Sequence, residues 1–397
     1  MADDSKPVRT VAFYLPQFHS IPENDRWWGE GFTEWTNVRR AQSAFDGHDH
    51  PRQAGVLGEY NLRDASVLHS QAELAAANGV DAFCIYYYWF SGKRLLESPL
   101  DDYLERGPDF PFCISWANEN WSRRWDGKDH EVLIAQSYDA STAADVFADM
   151  RRYLVDPRYL RVEGRPVIVV HRVDHIPDVR RLTDTWRRLA EEAGLGPIYL
   201  VAAETRRHLD PRAVGFDAVA EFPPVGANTL GSALLVPPRG LDRAFRGRLM
   251  SYARTAERAM RRKTPQFRRH PGVMPAWDNS ARRGMKGTVY VGASPELYGR
   301  WLAEARRREG EQKDARLVFV NAWNEWAEGA YLEPDATHGS AYLEATRRDW
   351  VPTGAVPPSR VGMPSLGWIR SLALSAAATG LNAVRWLRDR ARSRDAR

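Results

Sequence analysis

Two glutamates, Glu325 and Glu328, lie three residues apart in a stretch of tryptophan, asparagine and glycine running from Asn321 to Gly329. Paired carboxyl groups are what glycosidic bond cleavage requires: one protonates the departing oxygen while the other assists at the anomeric carbon. On a straight strand, positions i and i+3 face opposite ways. Gly329 and the following Glu333-Pro334 predict that the strand ends there, so that a turn aims both carboxylates into one cavity. Carboxyls held that close raise each other's pKa, and one stays protonated near neutral pH as an acid. A solvated helix face is the alternative for such a pair, and Trp323, Asn324 and Trp326 around it argue against that.

Tryptophan is the compositional outlier, with 15 residues. Many stand in short polar segments and not among aliphatics: Trp27, Trp28 and Trp35; Trp89; Trp116, Trp121 and Trp125; Trp323 and Trp326. A flat apolar ring beside charged groups suits a sugar, which has an apolar C–H face and a hydroxyl rim. Core filling with a satisfied indole N–H is the other use of the same residue.

The elements that must position these groups repeat one rhythm. Apolar runs at Val8–Pro16, Val80–Phe90, Phe110–Trp116, Pro166–His171, Pro197–Glu204, Asp217–Phe222, Gly272–Trp277 and Arg316–Trp323 predict strands. Helical patterns such as Ser66–Asn78, Ala143–Leu154, Val179–Ala193 and Pro295–Arg308 alternate with them, the last capped by Ser294. About eight such units predict an α/β protein, a (β/α)8 TIM barrel. A doubly wound sheet is the competitor, but no Gly-x-Gly-x-x-Gly follows the first strand.

The residues that look functional follow the strand runs. Strand one carries Tyr14 and ends in Gln17-Phe18-His19; strand two ends in Tyr86-Tyr87-Tyr88-Trp89. Strand three ends in Trp116-Ala117-Asn118-Glu119-Asn120-Trp121, strand four at His171, five at Glu204, six at Glu221 and seven at Trp277-Asp278-Asn279. In a barrel these ends meet on one rim, where active sites are built. Glu119 is expected to bind substrate, with a catalytic carboxyl as the alternative. Tyr87, Tyr88, Trp89 and Trp125 are candidate stacking platforms, and Arg123 and Arg124 could neutralise an anionic glycan or a lipid-linked phosphate. His19, His48, His50 and His171 match no standard metal-ligand spacing, so no metal is expected.

The remaining features bound the class. The net charge of +5 is spread over alternating acids and bases, so nucleic acid is not an expected partner. Cys84 and Cys113 sit in apolar strand runs and read as buried hydrophobes. The polar start Met1-Ala2-Asp3-Asp4 lacks the pattern of a secretory signal, and a cytoplasmic address is expected. Residues 1–350 are expected to form the catalytic domain. The stretch 351–364, with four prolines and two glycines, reads as a linker. Residues 365–397 carry apolar positions at helical spacing with an arginine-rich flank. They read as a basic amphipathic helix, in peripheral contact with an anionic membrane or docked on the barrel wall, with a partly disordered tail as a further alternative.

The segment Asn324-Glu325-Trp326-Ala327-Glu328-Gly329, with Leu332-Glu333-Pro334, resembles the signature of glycoside hydrolase family 99, the endo-α-mannosidases. The rest of the chain is similar to the related WbsX group of bacterial surface-polysaccharide synthesis. Matching segments are Ala12-Phe13-Tyr14-Leu15-Pro16-Gln17-Phe18-His19, Trp27-Trp28-Gly29, Gly31-Phe32-Thr33-Glu34-Trp35, Gly47-His48 and the segment from Trp116 to Trp121. The resemblance runs from about Val8 to Trp350. It implies a (β/α)8 barrel, no cofactor and a retaining reaction. In that reaction Glu325 deprotonates the sugar 2-hydroxyl and Glu328 serves as general acid, then base. The substrate-recognition segments follow WbsX and depart from family 99, which bears on both sugar identity and outcome. An oligosaccharide or lipid-linked glycan is the expected substrate. A hydrolase or transglycosidase is the first reading, a glycosyltransferase the second, and a non-catalytic glycan-binding protein the third.

Overall fold

The computed structural model describes residues 7–123, 128–205 and 209–352 of the chain. The predicted linker and basic helix at 351–397, apart from Val351 and Pro352, and the candidates Arg124 and Trp125 lie outside the described residues.

Eight strand positions close into a parallel barrel. They are β1 (Arg9–Tyr14), β2 (Ala82–Phe90), β3 (Phe112–Trp116), β4 (Arg165–Val170), β5 (Tyr199–Ala203), β6 (Ala218–Ala220), β7 (residues 269–273) and β8 (Leu317–Val320). The strand β7 consists of Arg269–His270 and Gly272–Val273 on either side of Pro271, whose ring removes a backbone donor. Its first half pairs with β6 and its second with β8, and the Pro271 carbonyl still accepts the Phe319 N–H. Closure follows, because β8 pairs with β1 and the chain of parallel pairs runs through β2, β3, β4 and β5 back to β6. The run predicted over Gly272–Trp277 therefore sits several residues earlier. Met274 to Trp277 have left the sheet to form part of the rim.

Helices cover the outside: α1 (Ala65–Ala77), α2 (Ser98–Arg106), α3 (Thr142–Leu154), α4 (Val179–Glu192), α5 (Tyr252–Met260) and α6 (Pro295–Gly310). Their starts are chemically marked. Asp64 accepts the Ser66 N–H before α1, Asp178 the Arg181 N–H before α4, and Ser294 the Leu297 N–H before α6, satisfying donors that have no intrahelical partner. On α4, Leu182, Trp186 and Ala190 recur at one-turn spacing and are buried against the sheet. Between β5 and β6 the described residues form only a 3-10 turn, Pro211–Val214.

Register decides which side chains enter the barrel. Side chains alternate along a strand, and paired residues share a face. Phe13 pairs with Cys84, so Tyr86 and Tyr88 follow it inward at two-residue steps; the Phe13 ring packs on Tyr86, Phe222 and Phe319. Tyr14, Tyr87 and Trp116 take the opposite parity and meet the helices. Tyr14 donates to Gln71 on α1, Tyr87 to Asp149 on α3, and the Trp116 ring lies 5.8 Å from Trp186 on α4. No helix among the described residues is long and apolar enough to cross a membrane.

Candidate active site

After β8 the chain makes a two-residue pairing, Asn324–Glu325 with Ala330–Tyr331, enclosing a 3-10 turn over Trp326–Glu328. The turn ends at Gly329, whose φ of +57° is left-handed and favours glycine. A Cβ at 329 would also stand 1.8 Å from the Arg52 guanidinium. This is the turn expected from the sequence, and it brings both carboxyls to one place. Asn324 fixes its start: Oδ1 accepts the Leu15 N–H at 2.7 Å and Nδ2 donates to the Leu15 carbonyl at 3.0 Å. Behind it the Trp326 ring stacks on Tyr331 and abuts Trp35, whose indole N–H goes to the Tyr60 carbonyl. Glu333 collects hydrogen bonds from Trp326 Nε1, Gln71 Nε2 and Tyr60 Oη at 2.6, 2.6 and 3.0 Å. Burial lifts its carboxyl to about 7, against those hydrogen bonds.

The two glutamates share one cation. Arg282, on the helical turn Ser280–Arg283, donates through Nη1 to Glu328 at 2.6 Å, through Nη2 to Glu325 at 2.8 Å and through Nε to Glu34 at 2.7 Å. Burial opposes the guanidinium charge, but Glu34, Glu328 and Glu325 outweigh it and raise the Arg282 pKa. Burial raises Glu325 to about 8; Arg282 pulls it down, while Glu328 and Glu34 push it up. Burial likewise raises Glu34. Side-chain exposure separates the three carboxylates: 22% for Glu328, 7% for Glu325 and 0% for Glu34. Glu328 is the one most open to a ligand in the cleft above.

That cleft, about 270 Å³, has aromatic walls from Tyr86, Tyr88, Trp121, Phe222 and Trp277, and polar groups from Glu119, His171, Arg282, Glu325 and Glu328. Tyr88 meets Trp121 edge-on at 5.1 Å. Trp28, stacked on Phe32, belongs to the apolar cluster behind this pair. Arg172 Nη1 donates to Glu119 at 2.5 Å, and Asn118 braces the same corner by accepting the Arg172 N–H and donating to the Arg172 carbonyl. The His171 ring packs against Phe222 and Tyr86.

Of the residues singled out from sequence, the structure brings Glu325, Glu328, Tyr88, Glu119, Trp121, His171 and Trp277 to the cleft, with Glu34 directly beneath. Others lie elsewhere. Tyr14, Tyr87 and Trp116 face the helix layer for the parity reason above. Trp89, Trp323 and Gln17 are buried away from the cleft lining. His19 is buried against Ser98, and burial, with Arg63 nearby, lowers its imidazole to about 4. Glu204 shares the outward face of Ala202 and pairs with Arg262, which also binds Glu221, in a separate cavity of about 280 Å³ against α5. Asp278, Trp35, Asn324 and Trp326 support the site from behind. Sequence reading missed Arg282 and Phe222, and it marked Asn279 only as part of the seventh strand end. The Arg282-Arg283 pair looks like an ordinary solvated basic pair. Its only signal was its place one helical turn beyond Trp277-Asp278-Asn279.

A solved glycoside hydrolase-like protein aligns with a TM-score of 0.54 and 13% identity, covering 87% of this chain and 94% of that one, and it shares the fold. The family 99 endo-α-mannosidase from Bacteroides thetaiotaomicron aligns with a TM-score of 0.48 and 13% identity over 95% of this chain and 98% of that one. Uncharacterized protein WxcX of Xanthomonas campestris pv. campestris is 44% identical over 348 residues, 87% of this chain and 50% of its own length. The chain thus spans about half the length of the curated relatives it matches. Residues 10–346 match the family described as "Glycosyltransferase WbsX", and the chain belongs to that family.

Proposed function

We propose that this chain is a retaining, endo-acting glycoside hydrolase or transglycosidase acting on an α-linked, mannoside-like glycan of cell-surface polysaccharide or lipopolysaccharide metabolism. The observation that carries this reading is the convergence of Glu325, Glu328 and Glu34 on Arg282 beneath an aromatic-walled cleft. Glu328, the more exposed carboxyl, gives a proton to the departing glycosidic oxygen as the C1–O bond breaks. Glu325, once ionised, accepts the proton of the sugar 2-hydroxyl as O2 bonds to C1; a carboxylate raised by burial is the stronger base for that step. Water, or a sugar hydroxyl in transglycosylation, then attacks C1 and gives its proton to Glu328, while the C1–O2 bond breaks and Glu325 returns its proton to O2. Tyr88 and Trp121 offer flat faces for neighbouring sugar rings.

A glycosyltransferase is the second reading, favoured by the description of the matched family. One experiment separates the two. The protein is incubated with α-linked mannan fragments and lipid-linked surface oligosaccharides, with and without nucleotide sugars, and products are followed by mass. Shorter or rearranged oligosaccharides without a nucleotide, lost in Glu328→Gln, are expected. Products that grow only with a nucleotide donor would overturn the glycosidase reading.

A further inference from the structure

Behind the catalytic turn stands a group of ligand-type side chains that no step above uses: His48, His50 and Asp278, with their donor atoms within 4.8 Å of one another. Such a trio invites a metal. The hydrogen bonds argue otherwise. His48 Nδ1 accepts the backbone N–H of Ala44 at 2.9 Å, so the ring proton must sit on Nε2. That N–H points at Asp278 Oδ2, 2.7 Å away, and a protonated ring nitrogen has no lone pair for a metal. His50 Nε2 approaches the same oxygen at 2.8 Å, and the Arg52 guanidinium lies 3.3 Å from it. Asp278 Oδ1 accepts from the Ser280 N–H and hydroxyl at 3.0 and 2.5 Å. Both oxygens of the carboxylate are filled by protein donors, and a cation already stands beside it.

The cluster touches the catalytic turn twice. The Asp278 backbone N–H donates to the Glu328 carbonyl at 2.6 Å. Arg52, held by Asp278, lies over the Tyr331 ring and against Gly329, where a Cβ would displace its guanidinium. The cluster itself is anchored against a separate two-stranded sheet, Arg248–Ser251 paired with Thr288–Val291. Phe45, stacked on His48, packs with Phe245, Leu249 and Val289, and Asp278 bridges to Val289.

We propose that Asp278, oriented by His48, His50 and Arg52, is the positioning residue for Glu328, and that the trio is a proton-ordered hydrogen-bond cluster in place of a metal centre. The catalytic consequence rests on the glycosidase reading; the positioning itself does not. The 397-residue protein is labelled with carboxyl-13C glutamate, and the Glu328 resonance is assigned by its loss in Glu328→Gln. Asp278→Asn is expected to shift that resonance and to leave that of Glu309, bound to Arg268 and His270 far from the turn, in place. His48→Gln, whose amide N–H can replace Nε2–H, is expected to keep the wild-type position, and His48→Leu to lose it. Zinc added to chelator-treated protein is expected to bind without stoichiometry. On a glycan that the wild type cleaves, Asp278→Asn should lower kcat about 100-fold with KM nearly unchanged, the scale of a misplaced catalytic group. An unmoved Glu328 resonance in Asp278→Asn, or one equivalent of zinc lost in His48→Gln, would overturn the proposal. If the wild type turns over no glycan, the glycosidase reading fails, and the resonance and zinc arms still decide the positioning claim.

Discussion

Arg282 and Glu328 meet at 2.6 Å, and the same guanidinium holds Glu325 and Glu34 through its other two nitrogens. Three carboxylates around one buried cation would repel one another without it. The arrangement therefore fixes the positions of the proposed reacting groups and bears on the raised pKa of Glu325, and each can be tested.

Removing Arg282 should be costly. In Arg282→Met the carboxylates lose their common partner, and breaking a buried ion pair from one side typically costs about 3–5 kcal/mol. The expected outcome is a large fall in melting temperature together with loss of turnover. Arg282→Lys, with a point charge in place of a planar fork, should recover part of the stability and little of the activity. Denaturant unfolding of both variants checks this; wild-type stability in Arg282→Met would contradict it.

Glu328→Gln keeps the shape of the side chain and removes its proton chemistry. Turnover on natural linkages should fall about 100- to 10,000-fold, the usual worth of a general acid or base, with circular dichroism unchanged. Near-normal turnover would remove Glu328 from the mechanism.

The pH profile follows from Glu325. Its folded-state value of about 8 lies above the ordinary 4.5, so the proton stays on until the pH approaches 8. Acting as a base, it should give kcat/KM a limb that rises with pH toward that value. Glu34→Gln deletes a neighbouring negative charge, so the limb should move to lower pH. A limb that falls through the same pH would instead make Glu325 the acid and exchange the two roles.

The same shifts bear on stability. Glu325 and Glu333 have raised values of about 8 and about 7, so the folded state binds more protons than the unfolded chain above pH 4.5. Their contribution is fully present below that pH and is lost as pH rises through 7 and 8. Denaturant midpoints should decline from pH 5 to 8 and level off above, and Glu333→Gln should flatten the decline below 7.

Tyr87 and Tyr88 give a test by parity. Tyr88→Ala should raise KM for the glycan while sparing the melting temperature. Tyr87→Ala removes the hydrogen bond to Asp149 and a buried ring; it should lower stability by on the order of 3 kcal/mol and leave KM in place. Equal effects on KM would mean that the cleft is not where the sugar lies.

The sequence by itself determined the alternation of strands and helices, the cap at Ser294, and the turn that ends at Gly329. Each of these is encoded within a few neighbouring residues, by side-chain period, by a hydroxyl before a helix, or by glycine where φ is positive. It also located the rim, because functional residues follow strands in a barrel. Only the tertiary structure decided which of those rim residues face the cleft. A strand's side chains alternate, and a one-residue change of register exchanges the faces, so Tyr88 and His171 turn in while Tyr87, Trp116 and Glu204 turn out. Closure of the barrel likewise brought Arg282 to Glu34, 248 residues away in sequence. No local pattern specifies a partner at that separation. The pairing arises because β1 and β7 lie on either side of β8, and the chains leaving their ends meet over the same opening.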